Sequence, residues 1–223
     1  MTAPRTTPTA LLAQAGALLL DFDGPLADLM PPPANALAAD AARAAINHIT
    51  LPPEVATTTD HLAVLRHVIE HHSHLTAEVE HACTRAETEA APHCSPSAHA
   101  ENLFTNIRQR DLPAAVVSNN SEQAVRVCLD RHDWTAHVAA FSCRDEHNCA
   151  DMKPSPVLLE QALHVLGIEP SRAVFIGDSV SDVQAATSAG VRILGLAKNP
   201  RRGQELIDAG AAAVASLADT LDL

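Results

Sequence analysis

The stretch Ala17-Leu18-Leu19-Leu20-Asp21-Phe22-Asp23-Gly24 sets an apolar run directly against two carboxylates one residue apart. Such a run reads as a strand of about residues 16–21 buried on both faces, the form strands take in a parallel sheet. An open α/β sheet binds ligands beyond the carboxyl ends of its strands. Two like charges this close repel unless a cation or a shared proton relieves them. The pair therefore points to a metal site that contains a nucleophile.

Outward from this stretch, residues 1–15 are rich in Thr, Pro and Ala and read as a loose lead-in. Downstream, Gly24-Pro25 and Pro31-Pro32-Pro33 mark turns. The pattern is then helical as far as 110, with candidate helices at 34–48, 57–73, 75–91 and 97–110 and no strand-like run. After Pro113 the rhythm changes. Strands are predicted at 114–117, 138–141, 173–176 and 191–196, with a further short apolar run at 212–215. Helices alternate with them at 121–131, 154–166, 179–189 and 201–209. Such alternation predicts an α/β fold with a doubly wound parallel sheet, interrupted after its first strand by an all-helical insert. The expected division is a core of 16–28 and 99–223 with the insert at 29–98.

With 15 Lys plus Arg against 27 Asp plus Glu, the net charge is −12, which disfavours nucleic acid and anionic membrane as partners. No run approaches the length of a membrane span. The segment 10–20 imitates a signal-peptide core, but Gln14 interrupts it and no small-residue cleavage site follows. Five scattered cysteines without a Cys-x-x-Cys pair read as thiols in a reduced, cytoplasmic setting.

Three predicted strand ends carry polar groups: Asp21 and Asp23; Ser118-Asn119-Asn120; and Gly177-Asp178-Ser179 with Asp182 following. Lys153, before Pro154, stands between the last two. The blocks Asp21-Phe22-Asp23-Gly24, Val117-Ser118-Asn119, Met152-Lys153-Pro154 and Gly177-Asp178-Ser179-Val180-Ser181-Asp182 together resemble the haloacid-dehalogenase (HAD) superfamily of phosphatases. The helical insert resembles the cap of its phosphoglycolate-phosphatase-like and β-phosphoglucomutase-like branch. The resemblance implies a Rossmann-like core with an inserted cap, and Mg²⁺-dependent hydrolysis of a small phosphorylated metabolite.

Each block also makes chemical sense. Asp21 suits a nucleophile that forms an aspartyl-phosphate. Asp23 suits the acid that protonates the leaving oxygen and the base that then activates water. Mg²⁺, a hard cation, takes few carboxylates plus phosphate and water. The resemblance assigns it Asp21, the Asp23 carbonyl and Asp178, with Asp182 holding its water shell or Lys153. Ser118 and the Asn119 N–H would bind phosphate oxygens, and Lys153 would offset charge in the transition state. Pro25 departs from the family, which often has Thr there; its fixed φ and missing N–H predict a stiffer hinge.

Within the superfamily, Asp23 argues against dehalogenation. Neither lysine, Lys153 nor Lys198, lies in the insert, which excludes a Schiff-base phosphonatase. Arg43, Arg66 and Arg85 are few for a sugar-phosphate mutase, the first alternative. A catalytically silent binding or regulatory homologue is the second, and no core group is missing to support it. A signalling receiver domain would have no helical cap between its acidic residues and its Ser/Thr. His67, His71 and His74 are predicted to share a solvent face opposite an apolar seam of Leu62, Leu65 and Ile69, a reading preferred to a zinc site.

Overall fold

A computed structural model describes residues 6–217. In chain order its strands are β1 (Ala17–Leu20), β2 (Ala27–Asp28), β3 (Ser95–Pro96), β4 (Ala114–Ser121), β5 (Ala140–Arg144), β6 (Ala173–Gly177), β7 (Arg192–Ala197) and β8 (Ala213–Ser216). Its helices are α1 (Pro8–Ala13), α2 (Ala34–Ala44), α3 (Pro53–Ala56), α4 (His61–His71), α5 (Thr76–Ala90), α6 (Ala100–Arg110), α7 (Glu122–Asp130), α8 (Val157–Leu166), α9 (Val180–Ser188) and α10 (Pro200–Ala209).

Six strands form one parallel sheet in the order β5-β4-β1-β6-β7-β8. This is the expected doubly wound α/β architecture. Because successive strand side chains alternate, β1 feeds two cores. Leu18 and Leu20 pack with α1, α6 and α7 through Leu11, Phe104 and Val125. Leu19 packs on the other face with α8, α9 and α10 through Leu158, Val183 and Leu206. Burial on both faces is why these strands read as continuous apolar runs.

The helices α2 to α5 form a third apolar cluster with its own centre at Ala42, Val64, Leu65, Val68 and Val79. The two chain segments that join this insert to the sheet run side by side, with β2 antiparallel to β3. Ser97 ties them further: its N–H donates to Leu26 O at 2.9 Å and its hydroxyl to Pro25 O at 2.7 Å.

Several expectations need correction. Residues 8–13 are a helix, not a loose lead-in: the Thr7 hydroxyl caps it by accepting from Ala10 N–H, and Leu11 and Leu12 are buried. Six residues are too few for helical periodicity to register in sequence. β3 lies in the stretch where no strand was expected, formed by two residues that pair only because β2 is beside them. α8 starts at Val157, after a turn over 153–156, rather than at Pro154.

The seam of α4 runs along Val64, Leu65 and Val68, with Leu62 and Ile69 only partly buried and His61 buried in their place. His61 fits there because Glu87 receives its ring N–H. His71 is exposed and His67 half-buried, their ring centroids 4.6 Å apart, while His74 sits in the following 3₁₀ turn Ser73–Leu75. Cys94 and Cys128 form a disulfide, so the reading of all five cysteines as thiols fails for that pair; Cys83, Cys143 and Cys149 are free and buried. Among the described residues, no helix is long and apolar enough to cross a membrane.

Candidate active site

The parallel sheet delivers its strand ends to one edge. Asp21 follows β1, is 7 % exposed, and continues the ladder by donating its N–H to Ile176 O. The chain then turns back, with Leu26 and Ala27 N–H both donating to Phe22 O. Asp23 is fixed in this turn by Leu29 N–H, 2.9 Å from its Oδ1. Gly24 takes φ +102°, and a Cβ there would stand 2.6 Å from Asp178 Oδ2. Only glycine satisfies both the left-handed backbone and that approach.

After β6, a Cβ on Gly177 would stand 2.7 Å from Asp182, so glycine also lets α9 start close behind the strand. Ser179 and Asp182 form a reciprocal capping box on α9. The Asp182 Oδ2 accepts from Ser179 N–H, Ser179 hydroxyl and Asp178 N–H, while its Oδ1 faces Lys153 at 2.7 Å. Asp182 is thus wholly buried rather than a solvated first-turn acid.

Lys153 reaches the same point from the opposite side. Its Nζ lies 2.6 Å from Asp21 Oδ1 and donates to Val117 O at 3.2 Å. The Asn119 side chain clamps its backbone: Asn119 Nδ2 donates to Lys153 O and Lys153 N–H donates to Asn119 Oδ1. Ser118 is fully buried, its hydroxyl donating to Asn120 Oδ1 and accepting from Asn120 N–H.

The carboxylates of Asp21, Asp178 and Asp182 lie within 4.8 Å of one another. Burial, then repulsion from Asp182, holds the Asp21 carboxyl well above its usual range despite Lys153. Burial, then Asp182 and Asp23, pushes Asp178 to about 6. Burial also raises Asp23 to about 6. For Lys153 burial favours the neutral amine, but Asp182 and Asp21 outweigh it and raise its pKa, keeping the cation. Three clustered carboxylates against one ammonium leave surplus negative charge on hard oxygen donors, the donor set that suits Mg²⁺. With Asp182 engaged by Lys153 and α9, Asp21 and Asp178 are the carboxylates open to a cation.

A cavity of about 320 Å³ opens over these groups. Asp21, Asp23, Asn119 and Lys153 line its floor, and Asn35, Thr59, Asp60 and His61 of the insert form its wall. A family model described as haloacid dehalogenase-like hydrolase matches residues 15–190. The chain belongs to the haloacid dehalogenase-like hydrolases.

Among curated HAD proteins, the phosphoglycolate phosphatase of Xylella fastidiosa (strain 9a5c) is 28% identical over 177 residues, covering 78% of this chain and 76% of that one. Among solved structures, CbbY from Rhodobacter sphaeroides in complex with phosphate superposes with a TM-score of 0.71 at 23% identity, covering 92% of this chain and 96% of that one. A putative β-phosphoglucomutase from Thermotoga maritima superposes at 0.59 with 21% identity over 91% and 94% of the chains. The family and branch expected from the four sequence blocks are therefore borne out.

Three polar residues near this HAD site, His61, Glu87 and Arg144, were not among those expected from the sequence. The signal available was Glu80, Thr84 and Glu87, spaced to share one face of α5, where a buried helix face should be apolar.

Proposed function

We propose that the protein is a Mg²⁺-dependent phosphomonoester hydrolase that works through an aspartyl-phosphate on Asp21. The observation that carries this reading is the buried Asp21–Lys153–Asp182 array, in which a nucleophile is held against a fixed cation. An Asp21 oxygen attacks phosphorus and the ester P–O bond breaks. Asp23 gives its proton to the departing alkoxide, and its raised pKa suits that donation. Asp23 then takes a proton from the water that attacks the aspartyl-phosphate, releasing phosphate and restoring Asp21. Lys153 offsets charge on the transferring group, and Asp182 holds Lys153 in place. The Asn119 N–H, on the cavity floor, would meet a phosphate oxygen, whereas the Ser118 hydroxyl, expected to do the same, is buried below the cavity and bonded to Asn120. Asp21, the Asp23 carbonyl and Asp178 would hold Mg²⁺, which would supply positive charge to the phosphoryl group.

The cavity wall supports a small substrate. Lys153 is the only lysine or arginine lining the cavity among the described residues, and it is engaged by Asp21 and Asp182. Of the insert arginines, Arg43 donates to Thr58 O and pairs with Asp40, Arg66 lies 3.7 Å from the wall residue Asp60, and Arg85 does not line the cavity. We therefore infer a monophosphate with an uncharged polar remainder. A mutase, which must hold a second phosphate, would find no lysine or arginine lining the cavity apart from the engaged Lys153 among the described residues. The reading treats 29–98 as the cap over a core of 16–28 and 99–223. A cytoplasmic location goes with the substrate class, and the Cys94–Cys128 bond is the observation against it.

The test is Mg²⁺-dependent phosphate release from an aryl phosphate and a panel of phosphorylated metabolites, with Asp21→Asn alongside. Turnover of small polyol monophosphates above bisphosphates, abolished in the variant, is the expected result. Equal turnover by the variant overturns the mechanism.

A further inference from the structure

Glu87 is fully buried on α5, in the insert, yet three of its four hydrogen-bond partners belong to the core. Its Oε1 accepts from His61 Nε2 at 2.8 Å and from Asn120 Nδ2 at 3.4 Å. Its Oε2 accepts from Ser121 N–H at 2.8 Å and from Arg144 Nη2 at 2.7 Å. Arg144, also fully buried, donates through Nε to Asn119 O at 2.8 Å and through Nη1 to Glu80 and Thr84. The Glu87–Arg144 pair thus grips the backbone on both sides of Asn120, and Asn119 in turn clamps the backbone of Lys153.

Stability alone does not explain this arrangement. A buried ion pair is often no better than apolar residues of similar volume, because desolvation offsets the attraction. What the pair supplies is geometry. We propose that Glu87 is a positioning residue for the reaction, setting the His61 ring in the cavity wall and the Asn119–Ser121 backbone on the cavity floor in one register.

The inference rests on the phosphatase reading above. Burial alone would raise the Glu87 carboxyl, but Arg144 and His61 outweigh it and hold it at about 2. An ionised carboxylate only accepts, so His61 Nε2 carries the proton toward Glu87 and Nδ1 is the ring nitrogen left for a ligand. Glu87's bonds to Asn120, Ser121 and Arg144 exist only while the insert is docked on the core. Wall and floor are therefore completed in the same event. Misplacing catalytic geometry by about 1 Å can lower rates about 10²-fold, so one carboxylate shared by both sides has leverage on turnover.

The test uses the full chain with Mg²⁺ and an aryl phosphate, comparing wild type, Glu87→Gln, His61→Asn and the double variant. Glu87→Gln leaves Arg144 its bonds to Glu80, Thr84 and Asn119, so it should fold. The expected result is a kcat/KM lowered about 10- to 100-fold, with a raised inhibition constant for inorganic phosphate. Without any ligand, amide exchange at Ser121 should quicken while β1 and β6 stay unchanged. The losses in the double variant should combine less than multiplicatively, since both residues act through one contact. Should Glu87→Gln not fold, Glu87→Asp keeps the charge facing Arg144 and shortens the reach, and the same three readouts apply. Wild-type kcat/KM and phosphate inhibition in the variant, or fully multiplicative losses, would overturn the proposal. An inactive wild type would instead sink the phosphatase reading, and the exchange experiment would still decide whether Glu87 orders the Asn119–Ser121 segment.

Discussion

Lys153 Nζ stands 2.6 Å from Asp21 Oδ1, with both side chains withdrawn from solvent. The ammonium does not satisfy the site: Asp21 remains harder to ionise than a free aspartate because it is buried and faces Asp182. Asp21→Asn should therefore abolish turnover without lowering the thermal midpoint, because it removes a repelled anion and leaves Lys153 its bond to Asp182. Melting and phosphate-release measurements on one preparation check both halves. Retained turnover would end the nucleophile assignment.

Asp23 is held by Leu29 N–H and lines the cavity beside Asp21. As proton donor and acceptor it should matter less than the nucleophile. Asp23→Asn is expected to lose about 10²–10⁴ in kcat, the usual range for general acid–base catalysis. The loss should shrink for an aryl phosphate, whose leaving group needs less protonation. An unchanged kcat with an alkyl phosphate would contradict the role.

The surplus charge of Asp21, Asp178 and Asp182 has a consequence that does not depend on turnover. A ligand that binds only the folded state stabilises it, by about 2.7 kcal/mol at 100 times its Kd. Mg²⁺ should raise the thermal midpoint of wild type, and Asp178→Asn should remove most of that rise. A midpoint indifferent to Mg²⁺ would count against a metal at these carboxylates.

Glu87 links structure to pH. Its folded pKa of about 2 lies below its ordinary 4.5. Its contribution is therefore complete above about 4.5 and is lost as pH falls through that value towards 2, amounting to something on the order of 3 kcal/mol. Denaturant unfolding of wild type at pH 7, 4.5 and 3 should show the decline, and Glu87→Gln should flatten it. Parallel curves for the two proteins would mean that Glu87 titrates normally.

The Cys94–Cys128 bond joins the segment returning from the insert to α7, across 34 residues of chain. By loop entropy alone, closing that loop is worth roughly 3–4 kcal/mol. Reductant should lower the denaturation midpoint of wild type and leave Cys128→Ser unaffected. Equal sensitivity of the two proteins would show that the bond does not form in solution.

Local pattern alone carries a good part of this molecule. The apolar run before Asp21, the strand–helix alternation after Pro113, and the blocks around Ser118, Lys153 and Asp178 are each a few residues long. Period and spacing suffice to read them, and the topology of a parallel sheet brings their ends together. Tertiary structure alone decided the rest. Glu87 and Arg144 are 57 residues apart, so neither reveals the other in the sequence. His61 reads as a polar helix residue until Glu87 accepts a hydrogen bond from its ring N–H, which lets it sit in the buried seam of α4. Cys94 meets Cys128 only once β3 has returned the chain beside α7. Burying a charge or a polar ring is unfavourable in isolation and becomes acceptable when a distant residue supplies the hydrogen bond. A reading of one segment at a time has no access to that distant residue.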